Sequence, residues 1–237
     1  MPKTCLTLLV LFVCPIGKVD ALQEPKIRVL ITKAKEISFR ADNRKFFSLK
    51  DLQRDNWQRR VKSLKIRVKN GQTEYFLNGN LQNTHKFSEK INLTLTTQDQ
   101  RGIWLGKRRY GGTLLVKREG DKLIVINRLR LEKYLTSVVG AEMPKGWPIE
   151  ALKAQAIAAR TYALKQKTKQ TKEYDIRATE QSQVYLGLES ETPKIRRAVN
   201  TTRSLVMVYR GSLIDALFHS SSGGQTEDSG FVWGKKI

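Results

Sequence analysis

The chain has 237 residues, 40% of them hydrophobic, which is enough for one large domain or two small ones with real cores. Its 44 basic residues face 22 acidic ones, a formal net charge of +22, so the field draws anionic partners without specifying any chemistry. With His85 and His219 as its two histidines, the chain cannot build a metal site of several histidine ligands or a catalytic histidine pair.

Residues 1–21 combine an early Lys3 with the apolar run Leu6 to Val13, the breakers Pro15 and Gly17, and a Val19-Asp20-Ala21 cleavage site. This pattern predicts a secretory signal peptide removed after Ala21, with an apolar run too short to span a membrane. The protein is therefore expected to be exported, to a periplasm or the cell wall, with no transmembrane segment after cleavage. Cys5 and Cys14 both fall in that segment. The mature chain is expected to hold no disulfide, no thiol nucleophile and no Cys-ligated zinc.

From Ile27 to about Val116 the pattern is of short strands: Ile27–Ile31, Val61–Val68, Thr73–Leu77 and Ile91–Thr96. Asn70-Gly71 between two of these runs is a strong hairpin signal. Leu114–Val116 and Leu123–Ile126 flank Glu119-Gly120-Asp121 as a further hairpin. The clusters Arg59-Arg60-Lys62 and Lys107-Arg108-Arg109 read mostly as a solvated face that protects strand edges.

After Leu129 the period changes. Leu131, Tyr134, Leu135 and Val138 recur at helical spacing and lead to Glu142-Met143-Pro144. Pro144 disfavours the α conformation at Met143, so the helix should end there. That leaves Glu142 as a lone carboxylate at the end of an apolar stretch, where partial burial would suit it to general-acid work; a solvated helix-end residue is the alternative. Pro148 suits the first position of a second helix, Ile149 to about Lys167, rich in alanine and expected to be central and buried. Arg160 lies among those alanines and needs a partner, Glu142 or a substrate, since an unpaired buried charge is costly. Lys153 is evenly divided between facing water and a role in a site.

Further on come Gln183-Val184-Tyr185, a short helix over Glu191 to about Asn200, and a hairpin of Leu205–Tyr209 with Leu213–Phe218 across Arg210-Gly211-Ser212. The hairpin delivers His219-Ser220-Ser221-Ser222-Gly223-Gly224, which reads as a turn or as a loop for an anion or a sugar. Ser-His hydrolase chemistry lacks its nucleophile elbow, G-x-S-x-G.

Taken together, Tyr134-Leu135 through Glu142-Met143-Pro144, Trp147-Pro148 with Glu150–Ala156, Ala159-Arg160-Thr161-Tyr162-Ala163, Ser182–Gly187, and His219–Glu227 closing in Val232-Trp233-Gly234 resemble the stage II sporulation protein D family (SpoIID/LytB). The matches keep the family's order over about Leu114 to Gly234. The resemblance implies an α+β fold, with a β-rich N-terminal region (22–113) followed by a mixed α/β catalytic region (114–237) around a central Ala-rich helix. It also implies that the domain continues past Gly234, so that 114–237 is a truncated form.

The implied activity is that of a peptidoglycan lytic transglycosylase cleaving the MurNAc–GlcNAc bond with formation of 1,6-anhydro-MurNAc. Glu142 would be the catalytic acid and base, and Lys153, Gln155, Arg160, Gln183, Tyr185, His219, Ser220, Ser221 and Ser222 would bind substrate. Peptidoglycan glycan strands and a cell-wall amidase are the implied partners. The alternative is a non-catalytic enhancer of an N-acetylmuramoyl-L-alanine amidase. A nucleic-acid partner, supported by charge alone, is not expected. Family members can carry zinc on cysteines, which the mature chain would lack, so no metal or cofactor is carried over. Ser137, Gly111 and Ala178 depart from the family's usual Gly, Arg and Asp.

Overall fold

The computed structural model describes residues 24–42, 45–54, 57–82, 91–168, 173–219, 221, 223–225, 227–228, 230–231 and 234. The expected signal peptide with both cysteines, His85, Ser220, Ser222, Val232 and Trp233 lie outside the described residues.

The first half of the chain is strands: β1 (Lys26–Ala34), β2 (Glu36–Arg40), β3 (Phe47–Asp51), β4 (Gln58–Val61), β5 (Ser63–Lys69), β6 (Gln72–Leu77), β7 (Asn80–Gln82), β8 (Asn92–Thr96), β9 (Ile103–Leu105), β10 (Arg108–Tyr110), β11 (Thr113–Glu119) and β12 (Lys122–Arg130). The second half holds α1 (Leu131–Glu142), α2 (Ile149–Thr168), β13 (Ile176–Arg177), α3 (Pro193–Thr201), β14 (Val208–Tyr209) and β15 (Ser212–Leu213). The α+β class expected from sequence is what the chain adopts.

β14 and β15 pair only with each other, and two larger sheets carry the remaining strands. One runs β13-β1-β12-β11-β8-β3-β4 and the other β10-β9-β2-β5-β6-β7. Neighbouring strands are antiparallel, except that β13 lies parallel to β1. Alternate residues of both sheets point into one shared core: Ile27 and Val29, Ile37 and Phe39, Leu64 and Ile66, Leu93 and Leu95, Leu114 and Val116. The segments on either side of residue 113 thus share a sheet and a core, because β11 is wedged between β8 and β12.

The Asn70-Gly71 turn forms as expected, both residues at positive φ (50° and 75°), the pairing that matches strand twist in a two-residue hairpin. The single strand expected over Val61–Val68 is in fact two, which belong to different sheets. The Asn78 side-chain oxygen accepts from the Lys62 and Ser63 amides, at 2.8 and 3.1 Å, and so takes up amides that a continuous ladder would have used. An alternating pattern cannot reveal this, because the Asn78 contact is remote in sequence.

α1 ends at Glu142, and Met143 is extended (φ −118°, ψ 139°), as Pro144 requires. Leu131, Tyr134, Leu135, Val138 and Val139 are fully buried, each contributing about 1.5–3 kcal/mol. α2 buries one face, through Leu152, Ala156, Ala159 and Ala163, while Ala154 is exposed. α1 is therefore the more enclosed of the two helices. In α3, Thr192 caps the N-terminus by accepting from the Ile195 amide at 3.3 Å, with Pro193 in the first turn. The later hairpin is shorter than expected, β14 and β15 having two residues each around Arg210-Gly211.

Candidate active site

Glu142 closes α1, half-buried, and its Oε1 accepts from the Val184 amide at 2.7 Å. No other hydrogen bond or ion pair engages Glu142 among the described residues, so Oε2 is left without a protein partner. The site is a carboxylate fixed through one oxygen.

The residues around Val184 explain why it stands there. Gln183 is 1% exposed; its Oε1 accepts from the Tyr134 hydroxyl at 2.9 Å and its Nε2 donates to the Ala159 carbonyl at 3.3 Å. Tyr185 is equally buried; its hydroxyl donates to Asn127 Oδ1 at 2.7 Å, and its ring lies 5.2 Å from Tyr134 and 5.8 Å from Tyr110. Asn127 in turn donates to the Gly111 and Thr113 carbonyls. Burial pushes the Tyr134 and Tyr185 hydroxyls well above their ordinary pKa, so both are neutral donors at any working pH. Side chains on either side of Val184 are thus anchored inward, and the amide between them is held towards Glu142. Gln183 and Tyr185, expected at the sugar groove, form a buried frame behind it.

Close packing fixes the loop further. A Cβ on Gly140 would fall 2.1 Å from the Ser190 carbonyl oxygen, so only glycine allows α1 to approach the turn at 187–190 so closely. Ser190 donates to the Ser137 carbonyl at 2.8 Å, and the two hydroxyls lie 3.1 Å apart. The serine at position 137, a departure from the family's usual glycine, is accommodated by this contact.

Arg160 is placed elsewhere. It is 1% exposed and forms a bidentate pair with Glu132, Nε to Oε1 at 2.9 Å and one terminal nitrogen to Oε2 at 2.7 Å. It also donates to the Val199 and Leu205 carbonyls. The expected partnership with Glu142 does not form, and the buried guanidinium is committed to Glu132 and to carbonyls of neighbouring segments. Helix lengths account for this. The short connection 143–148 folds α2 back along α1, and eleven residues of α2 span about 16 Å, which carries Arg160 to the start of α1. Glu132 was missed from sequence, although an obligatory partner for Arg160 and that helix length together single it out.

Lys153 is part-exposed and pairs with Glu150 at 2.8 Å. Gln155 is half-buried, and its Nε2 has no hydrogen-bond partner among the described residues. His219 and Ser221 are exposed, and among the described residues neither bonds to Glu142. A groove of about 760 Å³ runs along the Val184 loop; Lys33, Arg108, Arg177, Gln181, Val184 and Leu186 line it. Val184 faces this groove while its amide holds Glu142. No group of three His, Cys, Asp or Glu side chains among the described residues could hold a metal. No described helix is long and apolar enough to cross a membrane.

A buried tyrosine-glutamine frame thus presents one glutamate at a helix end, a candidate site around a single carboxylate. Residues 119–209 match the family model described as SpoIID, stage II sporulation protein, so this segment is similar to the SpoIID family. An uncharacterized protein of Brachyspira hyodysenteriae is 38% identical over 150 residues, covering 62% of this chain and 40% of the relative. The amidase enhancer of Bacillus subtilis is 44% identical over 103 residues, 44% of this chain and 14% of the relative. Stage II sporulation protein D of Bacillus subtilis is 32% identical over 128 residues, 47% of this chain and 37% of the relative. The chain thus spans two fifths or less of the length of these relatives.

Proposed function

We propose that the chain acts on the cell wall as a peptidoglycan lytic transglycosylase, with Glu142 as its acid and base. The observation that carries this reading is the Glu142 carboxyl, oriented by the Val184 amide through Oε1 and without a competing cation among the described residues. In the first step the acid proton passes from Glu142 Oε2 to the glycosidic oxygen between MurNAc and GlcNAc. The C1–O bond breaks, GlcNAc leaves with that proton, and an oxocarbenium-like centre remains at C1 of MurNAc. The C6 hydroxyl of the same sugar then bonds to C1 and returns its proton to Glu142. No water is consumed and the 1,6-anhydro ring closes. Glycoside hydrolases use a second carboxylate to activate water or to form a covalent intermediate; an internal nucleophile removes that need, which suits a site built around one acid.

Glycan strands with and without stem peptides, incubated with wild type and with Glu142→Gln, test this by mass spectrometry. Glutamine keeps an oxygen for the Val184 amide but cannot deliver the proton. Anhydro-muramyl ends from wild type alone are expected. Absence of such ends from well-folded wild type on both strand types would sink the enzymatic reading.

A non-catalytic role as an amidase-enhancing wall binder is the second reading. It is favoured by the similarity to the amidase enhancer and by the structural employment of Arg160, Gln183 and Tyr185. Packing alone accounts for these three, which leaves Glu142 as the feature that separates an enzyme from a binder.

A further inference from the structure

At the opposite end of α1 from Glu142, roughly 15 Å along the helix axis, a groove of about 470 Å³ opens between the start of β1, the end of β12 and α3. Six cations line it: Lys26, Arg128, Arg130, Lys133, Arg196 and Arg203. The two carboxylates there are already engaged. Glu132 is held by Arg160, while Glu24 accepts from the Glu132 amide at 3.0 Å and from Arg203 at 2.7 Å. Lys133 and Arg196 share Glu191, at 3.3 and 3.5 Å. Lys26, Arg128 and Arg130 are exposed, and no ion pair among the described residues engages them.

Their register makes this arrangement unfavourable for the free protein. Lys26 lies directly opposite Arg130, and Arg28 directly opposite Arg128, on the outer face of the sheet. Directly opposed like charges repel, and Asp175 relieves only Arg28. The N-terminus of α1 in this groove is already occupied by Glu24, flanked by the Arg203 guanidinium, which leaves Lys26, Arg128 and Arg130 as the cations open to a ligand.

We infer that this groove binds a phosphodiester polymer of polyols or sugars, with Lys26, Arg128 and Arg130 each facing a phosphate. Its concave shape, with cations contributed by two strands and by α3 and its flank, suits a single flexible chain better than a flat lipid surface. Its described lining holds no Phe, Tyr or Trp, so it offers no platform on which nucleic-acid bases could stack. The inference stands apart from glycan cleavage, because neither Glu142 nor the Val184 loop takes part.

The test is binding of the full chain to lipid-free poly(glycerol phosphate), compared with a (dT) oligonucleotide of equal charge. Lys26→Gln/Arg128→Gln/Arg130→Gln is expected to weaken poly(glycerol phosphate) binding about tenfold or more. A control with the same charge loss elsewhere, Lys69→Gln/Lys107→Gln/Lys122→Gln, is expected to weaken it less than threefold or so, the residual effect of net charge. Circular dichroism checks that both variants fold. The logarithm of affinity should fall with the logarithm of salt at a slope of about two to three for three phosphates. Equal losses in the two variants would overturn the site in favour of the general field. An oligonucleotide bound as tightly as the polymer, and equally sensitive to the groove variant, would overturn the choice of a base-free ligand. Glu142→Gln should bind the polymer as wild type does, so failure of either proposal leaves the other readable.

Discussion

The two ends of α1 carry one glutamate each, and their fates are opposite. Glu132 is buried, satisfied at both oxygens by Arg160, and ties α1 to α2 and, through Arg160, to Val199 at the end of α3. Glu142 is half-buried and held at one oxygen by a backbone amide. A carboxylate with both oxygens committed to a guanidinium holds a fold together. A carboxylate oriented through one oxygen, with the other unclaimed, can exchange a proton with a ligand. The same helix therefore carries one glutamate held at both oxygens and one held at a single oxygen.

Four substitutions break or sharpen this contrast. The largest effect is expected for Glu142→Gln on anhydro-muramyl product formation, a loss of about 10²- to 10⁴-fold. Its unfolding free energy should stay within about 0.5 kcal/mol of wild type, as measured by urea titration. At the other end, Arg160→Ala leaves Glu132 buried without its partner and is expected to cost about 3–5 kcal/mol in the same titration. A loss confined to glycan affinity at unchanged stability would instead make Arg160 a substrate contact.

Tyr185→Phe deletes the hydroxyl that Asn127 accepts and is expected to cost about 1–3 kcal/mol. If Tyr185 stacked on sugar, the change would show as altered glycan binding with stability unmoved.

The smallest effect concerns acid. Arg109 holds Glu189 by two hydrogen bonds, at 2.7 and 3.1 Å, and lowers its pKa below the ordinary glutamate value. A depressed carboxylate pKa stabilises the fold above the unfolded pKa, and that stability is lost as pH falls through the folded one. Because Glu189 is 36% exposed, the pair is worth at most about 0.5 kcal/mol after screening. Arg109→Gln should lie below wild type by that margin at neutral pH, and the two stability curves should converge in acid below the usual glutamate range.

Much of the fold was legible because it rests on local rules. A short apolar run marked β1, alternation marked β6 and β8, paired turn signals marked two hairpins, and Pro144 and Pro148 bracketed the helix break. In the site, Glu142 could be singled out by its place at the end of an apolar helix. The roles given to Arg160, Gln183 and Tyr185 from the family pattern were harder to read. A recurring motif marks residues that are needed without saying whether a ligand or the protein itself uses them. Burial distinguishes the two, and burial depends on what packs against a residue from elsewhere in the chain.

By itself, then, the sequence determined the class of fold, several of the strands, the Asn70-Gly71 turn, the ends of α1 and α2 and the basic charge, since these follow from backbone sterics, periodicity and composition. Tertiary structure alone decided that Val61 and Ser63 part into different sheets, that Arg160 pairs with Glu132, that the Val184 amide holds Glu142, and that three cations without an ion pair among the described residues converge beside α1. Each of these joins groups distant in sequence or sorts neighbours between sheets, and only the folded backbone brings the partners within hydrogen-bond or Coulombic reach.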